Sequence, residues 1–196
     1  QVHEAGMGSD RVAAFRALAQ EGRLPIRVYG MLDGNNEELM TQWFEDGPLV
    51  DDDLMFTVRS IKVFYDGSLG SRTALLAAPY SDEPEKANMT ERISPERVMS
   101  LGTRAADRGF QMSVHAIGDE GNNRTLTIYE NALSSHPDQD HRWRIEHAQV
   151  VLPDYYDRVS KLGVISSMQS SHAVGDSKWA EDRVGAERIR NAYAWR

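Results

Sequence analysis

The chain has 196 residues, 40% hydrophobic and 27% charged, enough apolar material for one packed soluble domain and unlike a disordered segment. A formal net charge of −8, with Lys and Arg scattered rather than clustered, argues against a nucleic-acid or anionic-membrane surface and favours small-molecule partners. There is no cysteine, so disulfides and thiolate metal sites are excluded, and no apolar run approaches the roughly 18 residues that span a bilayer.

The first element is a strand over residues 2–5 in "QVHEA", with no basic and apolar leader pattern before it. "SDRVAAFRALAQEG" follows as a helix opening on Ser9 and Asp10, and a second strand is predicted over 26–31. The strand predicted over 61–65 leads into an aperiodic stretch, 67–93, far longer than the usual two to six residues of a strand-to-helix loop. Such a loop normally carries function, and it is expected to cover a substrate pocket. Its opening "DGSLGSR" could cradle an anion through Gly67, Gly70 and Arg72, but it lacks the GK[ST] ending of a phosphate loop, and a flexible turn is the plainer reading.

"SPERVMSLGTRAADRG" is a well-punctuated helix, with Ser94 as N-cap, Pro95 in the first turn, Gly109 past the end, and Val98, Leu101 and Ala105 on one face. A strand over 112–115 precedes "DEGNNRTLTIYENAL", a helix opening on Asp119. The strand over 144–147 should place Trp143, Ile145 and His147 on one side and Arg144 and Glu146 on the other. Tyr155, Val159 and Leu162 then share a helix face before Gly163, a strand follows over 164–168, and "AERIRNAYAWR" reads as a terminal amphipathic helix. Both ends read as cuts through a longer protein. "NMT" and "NRT" match glycosylation sequons, a pattern short enough to arise by chance. Six strands alternating with helices imply parallel strands joined by crossovers, hence an α/β class.

Lys62, His115 and His147 each lie in or at the end of an apolar strand, tens of residues apart. In a closed parallel barrel the carboxyl ends of the strands meet at one rim, so residues distant in sequence become neighbours there. Lys62 is flanked by Ile61, Val63 and Phe64, a poor setting for an ammonium. Burial lowers a lysine pKa, and the neutral amine can take up carbon dioxide as a carbamate, a carboxylate suited to bridging two divalent cations. The plain alternative has Lys62 reaching solvent or pairing with Asp66. His3 reads as structural, and His136 and His141, in polar "SSHPDQDHR", as members of a solvated loop. His172, just past the last strand, sits where a residue contacting substrate would sit.

The ordered motifs "IKVFYDGSLGSRTALL", "HAIGD", "RIEHAQ" and "SSMQSSHAVGD…WAEDRVGAERIRNAYAWR" resemble the amidohydrolase superfamily, in particular the family 3 branch that includes N-substituted formamide deformylases. The resemblance implies a (β/α)8 TIM barrel of the metal-dependent hydrolase type, with a small β-rich domain built from the two termini of the complete protein. It further implies metal ligands at Lys62, His115 and His147, on the fourth, fifth and sixth strands. The segments here are then the second to seventh strands of a single catalytic barrel. The family's first-strand H-x-H does not occur in these residues, and its eighth-strand aspartate is expected beyond them, so the chain alone is expected to be inactive. The implied activity is metal-dependent hydrolysis of an amide or other non-peptide C–N bond by metal-activated water, with one or two divalent ions, zinc first among them. His172 is the candidate catalytic residue, and Asp66, Gly67 and Arg72 are candidates for binding a small amide-type substrate. No nucleic acid or membrane partner is expected, a homodimer is compatible with the reading, and the cytoplasm is the expected compartment. The alternatives are a non-catalytic α/β domain that binds a small anion through "DGSLGSR", and a degenerate barrel without metal.

Overall fold

The structure is a computed structural model that describes residues 1–86 and 91–193. Strands β1 (Val2–Met7), β2 (Val28–Asp33), β3 (Leu49–Val50), β4 (Phe56–Phe64), β5 (Gln111–Ala116), β6 (Arg144–His147) and β7 (Ile165–Ser167) form one sheet. Its order is β1-β2-β4-β5-β6-β7, every pair along that path is parallel, and β3 lies antiparallel on β4. Helices α1 (Ser9–Gln20), α2 (Glu37–Asp46), α3 (Pro95–Arg108), α4 (Asp119–Leu133) and α5 (Tyr155–Leu162) fall between the strands, and α6 (Ser170–Asp176) and α7 (Ala180–Arg188) follow β7. This is the α/β architecture expected, and among the described residues it is a barrel wall that does not close.

Local chemistry sets the boundaries. The Ser94 side chain accepts from the Arg97 N–H, Pro95 occupies the first turn of α3, and Gly109 leaves the helix in the left-handed region at φ 73°. The face of α3 that packs is Val98, Leu101, Gly102, Ala105 and Ala106, which contains the three residues its periodicity singled out. Two expectations are corrected. Strand β4 begins at Phe56, five residues before the apolar run that announced it, because Phe56 and Val58 alternate inward between Thr57 and Arg59. The terminal segment is not one helix: α7, already kinked at Gly185 (φ 77°), stops at Arg188, a 3-10 turn covers Ile189–Asn191, and Ala192 pairs in an extended bridge with Val150. Tertiary pairing outcompetes local helix there, since the Tyr193 N–H donates to the Gln149 carbonyl and the Val151 N–H to the Asn191 carbonyl. Residues 88–90 of the first sequon and 194–196 of that terminal segment lie outside the described residues.

Parallel register puts paired residues on the same face of the sheet. One face carries Val58, Ile61 and Val63 of β4, Met112, Val114 and Ala116 of β5, and Ile145 of β6; these pack with Leu101, Leu126, Tyr129 and Val159 of the helices into the main hydrophobic core. The other face is polar: Tyr29 and Met31 of β2, Ser60 and Lys62 of β4, Gln111, Ser113 and His115 of β5, and Arg144 and Glu146 of β6. On a flat sheet β1 and β6 would lie about 19 Å apart, four spacings of about 4.8 Å. Arg144 Nη1 nevertheless lies 2.7 Å from His3 Nδ1, and the Tyr29 hydroxyl donates to Gln111 Oε1 at 2.9 Å. The sheet therefore curls, and its polar face is the concave one.

Within the concavity the Arg144 guanidinium donates to Glu146 Oε1 through Nε at 2.7 Å and Nη2 at 2.6 Å, and both side chains are buried. Leaving either charge without its partner should cost about 3–5 kcal/mol, whereas replacing both with apolar residues of similar volume should cost much less. Denaturant unfolding of Glu146→Ala against the double substitution Arg144→Met/Glu146→Leu checks this, and equal losses would speak against a coupled pair.

Candidate functional site

The rim at the carboxyl ends of β4, β5 and β6 collects Lys62, His115 and His147. Lys62 is 4% exposed, and its Nζ finds no hydrogen-bond partner among the described residues; it lies 4.6 Å from the centroid of the Phe64 ring. Burial pulls its pKa down to about 8, against the opposing pull of Glu146. The alternative in which Lys62 pairs with Asp66 is not what the structure contains, because the Asp66 carboxylate is used elsewhere.

The His115 and His147 rings sit edge to face with centroids 4.6 Å apart, and the His172 ring lies 5.4 Å from that of His147. Strict alternation would turn His147 toward the core with Trp143 and Ile145. It does not, because His147 (φ 82°) and Ala148 (φ 44°) both occupy the left-handed region, and the turn brings the ring to the rim beside His115. For non-glycine residues this conformation is costly, about 1–3 kcal/mol each, and persists only when surrounding bonds impose it. Here the Ala148 N–H donates to the Ala116 carbonyl and the Val150 N–H to the Ile117 carbonyl.

The remaining candidates divide. Asp66 is fully buried and accepts the N–H groups of Leu75, Ile117 and Gly118, tying the start of the long loop to the end of β5. Burial pushes its pKa up to about 6, and those backbone donors pull the other way. The Gly67 carbonyl lies 2.9 Å from His115 Nε2. Arg72 points to Asp82 and Glu83. The turn is not an open anion cradle: the N–H groups of Gly67, Arg72, Thr73 and Ala74 donate to carbonyls within the turn, and that of Ser68 to Thr73 Oγ1. The anion-binding alternative therefore gains no support from its geometry.

From Leu69 to Tyr80 the loop is likewise a packed platform rather than a free flap. Leu69, Ala74, Leu76 and Tyr80 form a second hydrophobic cluster with Ala180, Val184 and Ala192, and Arg188 donates to the Ala78 and Pro79 carbonyls. Close approach requires glycine at Gly118, where a Cβ would meet the Leu75 carbonyl oxygen at 2.0 Å.

Sequence reasoning missed Gln169, whose Oε1 lies 2.6 Å from His147 Nδ1, and the Arg144–Glu146 pair beneath the rim; nothing in single-strand periodicity marks either. It also misplaced His141, which is buried, with Nε2 2.8 Å from the Leu162 carbonyl and Nδ1 accepting from the Trp143 N–H. His136 faces Asp107 at 3.3 Å. His3 has the structural role expected, against Arg144 and with its ring tilted against that of Tyr29 at 5.1 Å.

Among the described residues no group of three or more His, Asp or Glu side chains is arranged to hold a metal ion. Two imidazoles and an amine are what the rim offers. Two open clefts, about 350 Å³ bordered by His136, His141 and Lys161, and about 410 Å³ bordered by Val12, Trp43 and Leu49, lie away from these residues. The rim faces the concavity of the sheet instead. No helix among the described residues is long and apolar enough to cross a membrane.

A curled parallel sheet with imidazoles and a buried lysine gathered at the carboxyl ends of its strands defines a barrel-type α/β protein with its chemistry at that rim. The sequence profile described as the Amidohydrolase family matches residues 2–196, and the chain belongs to that family. It is 31% identical over 188 residues to YtcJ of Bacillus subtilis (93% of this chain, 33% of that protein). It is 38% identical over 135 residues to the protein LONG AFTER FAR-RED 3 of Arabidopsis thaliana (68% of this chain, 23% of that protein). An uncharacterized metal-dependent hydrolase from Pyrococcus horikoshii superposes with a TM-score of 0.85 at 31% identity, over 98% of this chain and 38% of that one. One from Pyrococcus furiosus does so with a TM-score of 0.85 at 32% identity, over 98% and 39%. The chain thus spans a third or less of these curated relatives and under two fifths of the solved chains.

Burial, first of all, pulls the His115 pKa down to about 3, with His147 and Lys62 adding to the effect against the Gly67 hydrogen bond. An unfolded histidine titrates near 6.5, so between those values the unfolded chain binds the extra proton. The contribution is complete above about pH 6.5 and is lost as pH falls toward 3. In metal-free protein, wild type should lose about 1–2 kcal/mol more stability than His115→Gln between pH 7 and pH 5, measured by denaturant midpoints.

Proposed function

We propose that this chain forms part of the catalytic barrel of a metal-dependent hydrolase that acts on an amide or other non-peptide C–N bond of a small molecule. The observation that carries the proposal is the buried amine of Lys62, without a hydrogen-bond partner among the described residues, at the same rim as two imidazoles whose charge states it influences. Metal dependence in the Pyrococcus neighbours supports it.

The residues present fit a divalent cation in their donor chemistry. His115 and His147 each commit one ring nitrogen to an oxygen of the protein, leaving the other without a hydrogen bond among the described residues. Lys62 fits as a carbamate, which turns an orphaned amine into an oxygen donor of the kind divalent ions favour. With two imidazoles and a carboxylate-type ligand, zinc is the proposed ion, in one or two sites. When bound, such an ion supplies Lewis acidity to a carbonyl and to water.

The chain's own residues do the rest. The concave wall of Ser60, Ser113 and the Arg144–Glu146 pair holds Lys62 from below in a setting where an ammonium is disfavoured. His172, on α6 beside His147, is proposed to contact substrate and to exchange a proton; its buried Nδ1 has no hydrogen-bond partner among the described residues. The platform of the long loop borders the site through the Gly67 carbonyl, so its exposed residues are proposed to shape substrate choice.

Full-length protein should hold at least one tightly bound divalent ion per chain. His115→Ala and His147→Ala should lower occupancy and abolish turnover of amide substrates, whereas His172→Ala should depress kcat with metal retained. Lys62→Ala should load metal poorly, and wild type stripped and reconstituted without carbon dioxide should recover only when bicarbonate is added. Elemental analysis combined with kinetics on an amide panel decides, and a metal-free, fully active enzyme is the result that sinks the proposal.

A further inference from the structure

We infer that Gln169 is a positioning residue that holds the His147 imidazole in its Nδ1–H form and so reserves Nε2 for a cation. The inference rests on the reading of His147 as a metal ligand. Gln169 is the residue just before α6, and its side-chain amide makes two hydrogen bonds. Gln169 Nε2 donates to the Ser167 carbonyl at 3.0 Å, and the other end of the amide faces His147 Nδ1 at 2.6 Å. A carbonyl only accepts, so the end at Ser167 must be the NH2 group and the end at His147 must be the oxygen, also an acceptor only. The ring nitrogen between them has to supply the proton. A neutral imidazole has one N–H, so its lone pair is left on Nε2.

This constraint matters more for His147 than for His115. His115 rests on the backbone carbonyl of Gly67, which no side-chain substitution removes. His147 stands on a left-handed backbone at the last position of β6, where the preceding strand no longer dictates side-chain direction. Its ring orientation therefore depends on a side chain from the turn that follows the next strand. Gln169 is also coupled to His172, whose N–H donates to the Gln169 carbonyl at 3.1 Å, so one residue anchors the His147 ring and the first turn of the helix bearing His172. Partners that fix the second nitrogen of a ligating histidine are typically worth about 10–100-fold in metal affinity.

The test uses full-length protein labelled with 15N-histidine, stripped of metal, with Gln169→Met removing the acceptor at similar volume and Gln169→Glu restoring one. Long-range 1H–15N spectra should show His147 as Nδ1–H in wild type and in Gln169→Glu, and as a mixture of tautomers in Gln169→Met. Zinc titration should give an affinity about 10–100-fold weaker for Gln169→Met and near wild type for Gln169→Glu. If Gln169→Met fails to fold, the wild-type tautomer and the Gln169→Glu affinity still decide. A wild-type ring in the Nε2–H form, or zinc held by Gln169→Met as tightly as by wild type, overturns the role of Gln169 while the metal reading stands. A wild-type protein that retains no zinc removes both.

Discussion

The structure depends on a polar surface being turned inward. Residues on the concave face of the sheet cannot be solvated as exposed strand residues are, so each needs a partner across the curl. Arg144 supplies the longest link, reaching Glu146 on its own strand, His3 at the far edge of the sheet and Met31 between them. Ser60 and Ser113 share a hydrogen bond of 2.7 Å, and Tyr29 meets Gln111. The hydrophobic core lies on the other face, under the helices, where Trp143, Ile145 and Val114 are fully buried. Curvature and polar satisfaction support each other: without the curl the inner groups would not meet, and without their bonds the curl would enclose unpaired charge.

Above that network the rim is built by departures from regular structure. Left-handed residues follow one another at the end of β6 and just past it, His147 and Ala148, and β4 runs into a turn in which the N–H groups of Gly67, Ser68, Arg72, Thr73 and Ala74 are consumed internally. Asp66 joins these departures, since its carboxylate receives N–H groups from both the loop after β4 and the turn after β5. The second hydrophobic cluster then braces the loop against α7. Strain at the rim is thus imposed by a rigid surround, the condition under which strained residues persist at functional sites.

Much of this was legible in the sequence because it follows short-range rules. The caps of α3, the period of its buried face and the alternation of strands with helices are local signals, and they gave the α/β class and the position of Lys62, His115 and His147 at strand ends. What was hidden depends on contacts between distant segments. No pattern around Arg144 tells that its partner is His3, and none around Gln169 points to His147. His141 looked solvated because its neighbours are polar, yet its two ring nitrogens close a turn onto Leu162 and Trp143. Asp66 was a candidate for binding substrate, and no local pattern tells that its carboxylate accepts N–H groups from Leu75, Ile117 and Gly118. The single alternation rule failed at His147, where positive φ reverses the face that period two assigns.

Lys62 differs from every other polar group on the concave face. Ser60, Gln111, Ser113, Arg144 and Glu146 are all hydrogen-bonded, while the Lys62 amine, 4% exposed, has no hydrogen-bond partner among the described residues. A satisfied network around one unsatisfied group is not what packing alone would select, since a methionine of similar length would fill the space without the desolvation cost. Its nearest aromatic neighbour, Phe64, is itself on the ring path to His115, 5.5 Å away. The fold therefore maintains, at some cost to its own stability, an amine without a hydrogen-bond partner among the described residues, within the electrostatic reach of Glu146 and two imidazoles. On the proposed reading, that amine is one half of an interaction whose other half is a ligand rather than a side chain of the surrounding wall.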